Sequence, residues 1–162
     1  MLAGLIEEDN VIKYVFMPKL KVFLFLIAGC FACSTSVKKM TDSNGNILQI
    51  DFQNFFDRDS VTLAINNCVI LEDYLITSSK IDGFTGLSIK IGRQDRGKAV
   101  VSYLNKKIIC NHFTGEISMS VTLNKKRLRY VIDLTKGMYV GLSKLGNDEL
   151  SFVQTDKAFV YD

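Results

Sequence analysis

The sequence predicts an all-β domain over residues 47 to 162, an antiparallel β-sandwich with a small β-barrel as the alternative. Two observations carry that prediction. From Ile47 onward, apolar residues recur mostly at period two, in runs rich in β-branched and aromatic side chains, which is the pattern of half-buried strands. Turn-forming residues separate these runs about every ten residues, and no window sustains a helical period of 3.6.

The elements follow in order. The first strand is expected at Ile47 to Gln53, after the turn-rich Asp42-Ser-Asn-Gly-Asn46. Ser60 to Ile65 comes next, where Val61, Leu63 and Ile65 alternate with Thr62 and Ala64. Asn66-Asn67 turns the chain into Cys68 to Thr77, and Asp82-Gly83 precedes Thr85 to Gly92, with Leu87, Ile89 and Ile91 on one face. Asp95-Arg96-Gly97 leads to Lys98 to Leu104, and Asn105-Lys106 to Lys107 to Cys110. Glu116 to Leu123 places Ile117, Met119, Val121 and Leu123 opposite a Ser/Thr face, read as the solvent side of a sheet. Asn124-Lys125 turns into Arg127 to Leu134, and Lys136-Gly137 precedes Met138 to Ser143. Gly146-Asn147-Asp148 separates that strand from Glu149 to Gln154, and Ala158 to Tyr161 is the last expected strand. Some of these eleven segments are expected to be one strand broken by a bend.

Residues 1 to 46 carry a different message. Residues 17 to 30, Met-Pro-Lys-Leu-Lys-Val-Phe-Leu-Phe-Leu-Ile-Ala-Gly-Cys, run from basic to apolar to small, the order of a secretory signal. The apolar stretch spans no more than about a dozen residues, against about 20 for a membrane-crossing helix. With Ile27, Ala28 and Gly29 ahead of Cys30, it resembles the lipobox of bacterial lipoproteins. That resemblance implies a diacylglycerol on the Cys30 thiol, cleavage before Cys30, and acylation of the new amino group; an ordinary cleaved signal or a buried apolar helix is the alternative. Residues 1 to 29 are thus read as signal peptide, with Met17 a better start than Met1 because Glu7, Glu8 and Asp9 are acidic. Residues 30 to 46 are read as a lipid-anchored flexible tether with a reach of about 20 Å. The chain as a whole is similar to small lipoproteins of Bacteroidota, in the lipobox and in Lys136 to Lys144, Leu150 to Gln154 and Phe159 to Asp162. The resemblance implies a cell-envelope location, with the outer membrane allowed since Phe31 rather than aspartate follows Cys30, and supplies no site residue beyond Cys30.

What remains after Cys30, about 130 residues, is one domain's worth of chain. The net charge of +3 makes no case for nucleic acid, whose binding needs dense phosphate neutralisation. Cys68 and Cys110 lie in expected strands of an exported domain, where either a disulfide or two buried free thiols would fit. A bridge would close a loop of about 40 residues, worth about 4 kcal/mol in the chain-entropy picture. Leu-Asn-Lys-Lys occurs at Leu104 to Lys107 and again at Leu123 to Lys126, which reads as two similar hairpin turns whose lysines discourage edge pairing. The functional alternative is an anion-binding end of the sandwich made by Lys106, Lys107, Lys125, Lys126, Arg127 and Arg129.

Catalytic patterns are sparse. His112 is the only histidine, two residues from Cys110, and reads as a turn residue rather than as the base of a thiol nucleophile. Glu72, Glu116 and Glu149 read as solvent-facing. Asp42 to Asn46 starts like a calcium loop but has Ile47 where glycine is required, and the carboxylates of Asp57, Asp59, Glu72 and Asp73 are a second weak cluster. No cofactor, metal or catalytic residue is expected. The resulting expectation is a non-catalytic envelope lipoprotein, held to the membrane by its lipid, whose sandwich binds a partner protein through a sheet edge or loop end or supports an envelope assembly. A glycan-binding module ranks second, because the chain has no Trp and its six Tyr are scattered, and an envelope enzyme third.

Overall fold

Alternating strands joined by turns at close spacing can bury their apolar stripes only by stacking one sheet on another or by closing a barrel. The computed structural model describes residues 41–111, 113 and 115–161. The signal segment, Cys30, the tether up to residue 40 and His112 lie outside the described residues.

Among the described residues ten strands form: β1 (Asn46–Phe52), β2 (Asp59–Ile65), β3 (Cys68–Ile76), β4 (Leu87–Gln94), β5 (Lys98–Tyr103), β6 (Lys106–Cys110), β7 (Ile117–Leu123), β8 (Lys126–Ile132), β9 (Tyr139–Leu145) and β10 (Glu149–Thr155). They build a six-stranded sheet in the order β10-β9-β1-β4-β5-β6 and a four-stranded sheet in the order β3-β2-β7-β8. No strand is shared between the two, so the architecture is a sandwich and not the alternative barrel. All pairings are antiparallel except β1 with β9, which run parallel from Gln49↔Tyr139 to Phe52↔Leu142.

The alternating stripes face inward. Val61, Leu63, Ile65, Leu87, Ile89, Ile91, Ile117, Met119, Val121 and Leu123 are all 4% exposed or less, and they pack with Leu48, Ile50 and Phe52 of β1 and Val140 and Leu142 of β9. Each expected strand except the last is present as a separate strand, so none of them is half of a bent one. Ala158 to Tyr161 is not a strand. β10 ends at Thr155, and the following segment runs back over the outer face of the six-stranded sheet, where Tyr161 packs on Phe84 at 4.3 Å between ring centroids. Ring packing there, with Tyr161 still 42% exposed, takes the place of a ladder of backbone bonds.

The domain also begins earlier than Ile47. Asp42 Oδ1 accepts the N–H groups of Asn44 and Asn46, both at 2.8 Å, and its Oδ2 accepts from Asn46 Nδ2 at 2.7 Å. Those carboxylate oxygens fix the turn into β1, so the end of the segment read as tether is part of the fold.

Two seams close the open sides of the sandwich. Cys68, on edge strand β3, is joined by a disulfide to Cys110, on edge strand β6 of the other sheet, with Cα atoms 5.7 Å apart. On the opposite side the edge strands β8 and β10 meet through Tyr130 stacked on Phe152 at 4.7 Å and through Lys126 and Glu149 at 3.5 Å. One seam is covalent and the other is aromatic and ionic.

Strand register also assigns the two ends. The start of β1, the β2–β3 turn and the β4–β5 turn share the near end, where the chain enters the sandwich. The β1–β2 connection, the β3–β4 loop and the β5–β6, β7–β8 and β9–β10 turns share the far end.

Candidate functional site

The six basic residues singled out from the repeated Leu-Asn-Lys-Lys divide into two groups. Both hairpins lie at the far end and lead into edge strands, but β5–β6 is on the disulfide side of its sheet and β7–β8 is on the aromatic side of the other. Lys106 and Lys107 therefore stand apart from Lys125 and Lys126. Lys126 turns toward Glu149, while Arg127 and Arg129 point outward from the four-stranded sheet, where Arg127 Nε donates to Ser120 Oγ at 2.9 Å. The turn centres on Leu104-Asn105, one residue before the expected Asn105-Lys106.

Cys110 is committed to its disulfide, which removes it as a thiol nucleophile. Glu72, Glu116 and Glu149 are exposed. The second carboxylate cluster does not assemble, because Asp59 is internal and Asp73 sits at a bulge in β3, where its N–H bonds to Thr62 Oγ1 at 3.0 Å. Among the described residues no group of three His, Cys, Asp or Glu side chains is placed to hold a metal.

The far end carries a feature that the sequence did not announce. Phe55, Leu75, Ile81, Leu104 and Leu145 are 72%, 64%, 99%, 50% and 48% exposed, and topology gathers all five there. They come from the β1–β2 connection, the end of β3, the β3–β4 loop, the β5–β6 turn and the end of β9. Two of them occupy backbone conformations that bulky residues avoid: Phe55 has φ 70° and Leu104 φ 42°. Such strain costs about 1–3 kcal/mol per residue and gathers at functional sites. Beneath this end, Asp59 makes a polar pin, accepting from Lys144 Nζ at 2.6 Å, from Asn124 Nδ2 and from the Asp57 N–H at 2.8 Å. Burial pushes the Asp59 carboxyl up, but the bonds from Lys144, Asn124 and Asp57 outweigh it and hold the group below the usual carboxylate range. That pin ties β2 of one sheet to β9 of the other, so the loops above it stand on a fixed base.

The second surface is a groove on the outer face of the six-stranded sheet. Cross-strand register sets Gln49 beside Lys90 and Asp51 beside Ser88. Asp51 is only 4% exposed, and both of its oxygens accept from Gln49 Nε2, at 3.1 and 3.0 Å. Phe84 from the β3–β4 loop and Phe159 and Tyr161 from the C-terminal segment wall this floor into a cleft of ≈ 680 Å³. Thr85 pins the loop by donating its hydroxyl to the Phe52 carbonyl and its N–H to the Gln53 carbonyl at 2.9 Å. Gln53 lies across Gly141, where a Cβ would come within 2.7 Å of it, and its Nε2 donates to the Tyr161 hydroxyl at 3.4 Å. Burial raises the Tyr161 phenol above its ordinary range, opposed by the hydrogen bond from Gln53 and reinforced to a smaller extent by the charge and hydrogen bond of Asp51. Ser88 Oγ is buried with no hydrogen-bond partner. A shallower depression of ≈ 440 Å³ shares Ser88 and Lys90 with the cleft and continues to Lys106 and Lys107. Lys106 Nζ stands 6.0 Å over the ring of Tyr103 there.

No protein-family model, curated protein or solved structure matches this chain. Its chemistry is argued from these two surfaces.

Proposed function

We propose that this chain is a lipid-anchored interaction module of the bacterial cell envelope, attached through Cys30, which docks a partner protein on the far end of its sandwich without catalysis. The observation that carries the reading is the set of exposed apolar side chains Phe55, Leu75, Ile81, Leu104 and Leu145 at that end. A contiguous exposed apolar patch marks an interaction surface, and the reading is that these five side chains, which share one end of the sandwich, act as one. Phe55 adds to this because it holds its side chain outward from a backbone that bulky residues avoid, whereas the positive φ of Leu104 belongs to the two-residue β5–β6 turn. The lipid and the envelope location rest on the lipobox resemblance of residues 17 to 30.

The test is site-specific photo-crosslinking in a bacterial host, with the reactive group placed at Ile81 on the far end or at Val69, which is 51% exposed near the other end. A single adduct formed from Ile81, absent from Val69 and lost when Phe55, Leu75 and Leu104 are made polar, is the expected result. Equal crosslinking from both positions, or none from Ile81, sinks the far-end reading.

A further inference from the structure

We propose that the groove on the outer face of the six-stranded sheet binds an acidic saccharide, with the sugar ring in the aromatic cleft and its anionic substituent on Lys90, Lys106 and Lys107. This site lies on the broad face of the sheet; it meets the far-end surface at the β5–β6 turn, where Leu104 lines the depression, and at the β3–β4 loop, which carries both Ile81 and Phe84, but it stands on different observations.

The cleft has the chemistry of a polyol reader. Sugars offer weakly apolar C–H faces and rigid arrays of hydroxyl groups, so their sites combine aromatic walls with fixed acceptors and donors. Tyr161, Phe84 and Phe159 supply the walls, with Phe159 and Tyr161 at 6.5 Å between centroids and inclined by only 30°. Asp51 supplies a nearly buried acceptor pair, oriented by the Gln49 amide. Ser88 Oγ lacks a partner within the protein, and a buried hydroxyl left unpaired costs about 1–3 kcal/mol until something bonds to it.

The groove is also polarised. Asp51 and Asp82 line the aromatic cleft, whereas Lys90, Lys106 and Lys107 line the depression that continues from it, with Ser88 and Lys90 common to both. None of these three lysines takes part in an ion pair among the described residues. An anionic group at the Asp51 end would be repelled, and the same group at the lysine end would gain charge-assisted hydrogen bonds. A sugar carrying a carboxylate, sulfate or phosphate thus has one favoured direction along the sheet. Hydrolysis is not part of the proposal. A glycosidase acid must hold its proton at neutral pH, but the Phe84 N–H and the Ser79 side chain hold the Asp82 carboxyl below its ordinary range.

The test uses the full chain in detergent and a panel of oligosaccharides bearing uronate, sulfate or phosphate, each beside its neutral counterpart, with binding read by calorimetry. At least one acidic member should bind about tenfold more tightly than its neutral form, the size of one charge-assisted bond. Lys106→Gln with Lys107→Gln, exposed hairpin positions that leave the fold intact, should erase that preference and leave the neutral form's affinity unchanged. Tyr161→Ala should weaken both forms. Inorganic sulfate alone should bind no more than weakly, since it cannot use the rings. A panel with no acidic preference, a preference that survives the lysine changes, or indifference to Tyr161→Ala would each overturn the proposal. Crosslinking from Ile81 is unaffected by any of these outcomes.

Discussion

Asp59 is 2% exposed and charged, and its pairing with Lys144 decides how the far end responds to pH. Its folded pKa lies below the ordinary value, so its contribution is complete above about pH 4 and fades as pH falls through the folded value. Lys144 is raised by the same bond, so its share is complete below about pH 10 and fades as pH climbs through its folded value. Asp59→Ala should cost about 3 kcal/mol at pH 7, because it removes the short partner of the Lys144 ammonium and leaves it only Asp148, 3.8 Å away. In denaturant titrations that cost should shrink below about pH 4; a cost unchanged at pH 2 would mean the charge is not what matters. Phe55 makes the opposite kind of prediction. Phe55→Gly should leave stability unchanged or raise it by up to about 1 kcal/mol, since glycine adopts a positive φ freely, while removing the far-end crosslink. A clear loss of stability would show that the ring packs on its own domain. Neither role was legible in the sequence. Asp59 read as one of several clustered carboxylates, because nothing in Asp-Arg-Asp says which side chain turns inward. Phe55 and Ile81 did carry a signal, each a large apolar residue inside a polar, turn-rich stretch with no strand to bury it.

At the scale of elements, ten strands were readable because a half-buried strand needs one apolar face and a turn at each end, and both requirements are local. Val61 to Ile65 and Ile117 to Leu123 state them in full. Ala158 to Tyr161 misled because alternation records only that every second side chain is buried, and Phe159 and Tyr161 are covered by Phe84 and the sheet face rather than by a strand partner. The aromatic cleft was hidden because Phe84 lies about 75 residues before Phe159 and Tyr161 in the chain. Pairing of Cys68 with Cys110 could not be read from spacing, since it depends on which edges face each other. The structure places them on facing edge strands, and the cross-link closes a loop of 42 residues. Reduction, or Cys68→Ser with Cys110→Ser, should therefore lower stability by about 4 kcal/mol in the chain-entropy picture. Thermal unfolding with and without reductant measures it, and an unchanged midpoint would mean the two sheets need no covalent seam. Lys126 and Tyr130, on the other side, should hold their contacts to β10 in the reduced protein.

For the whole molecule, the two surfaces divide the labour by position. The proposed docking end faces along the strands and the proposed saccharide groove lies across the broad face of the larger sheet, the two meeting at the β5–β6 turn, where Leu104 lines the depression. Attachment at Cys30 is checked by the intact mass of membrane-extracted protein beside a Cys30→Ser variant. A mass beginning at Cys30 with lipid added, and lost in the variant, is expected; an unprocessed mass beginning at Met1 or Met17 would remove the anchor from the proposal and leave both surfaces to be placed elsewhere.

The pairing of β1 with β9 has a kinetic consequence. β1 is the first strand made and a central one, yet it lies between β4 and a partner about ninety residues later in the chain, and such distant contacts slow folding toward milliseconds to seconds. β1 can pair with β4, and hairpins β4–β5–β6 and β7–β8 can form on their own, but β1 remains an unpaired edge on its other side until β9 arrives. A chain threaded through a membrane from its N-terminus would remain unfolded until nearly all of it had emerged. Removal of β9 and β10 should for the same reason abolish cooperative folding, rather than trim an edge from a stable core.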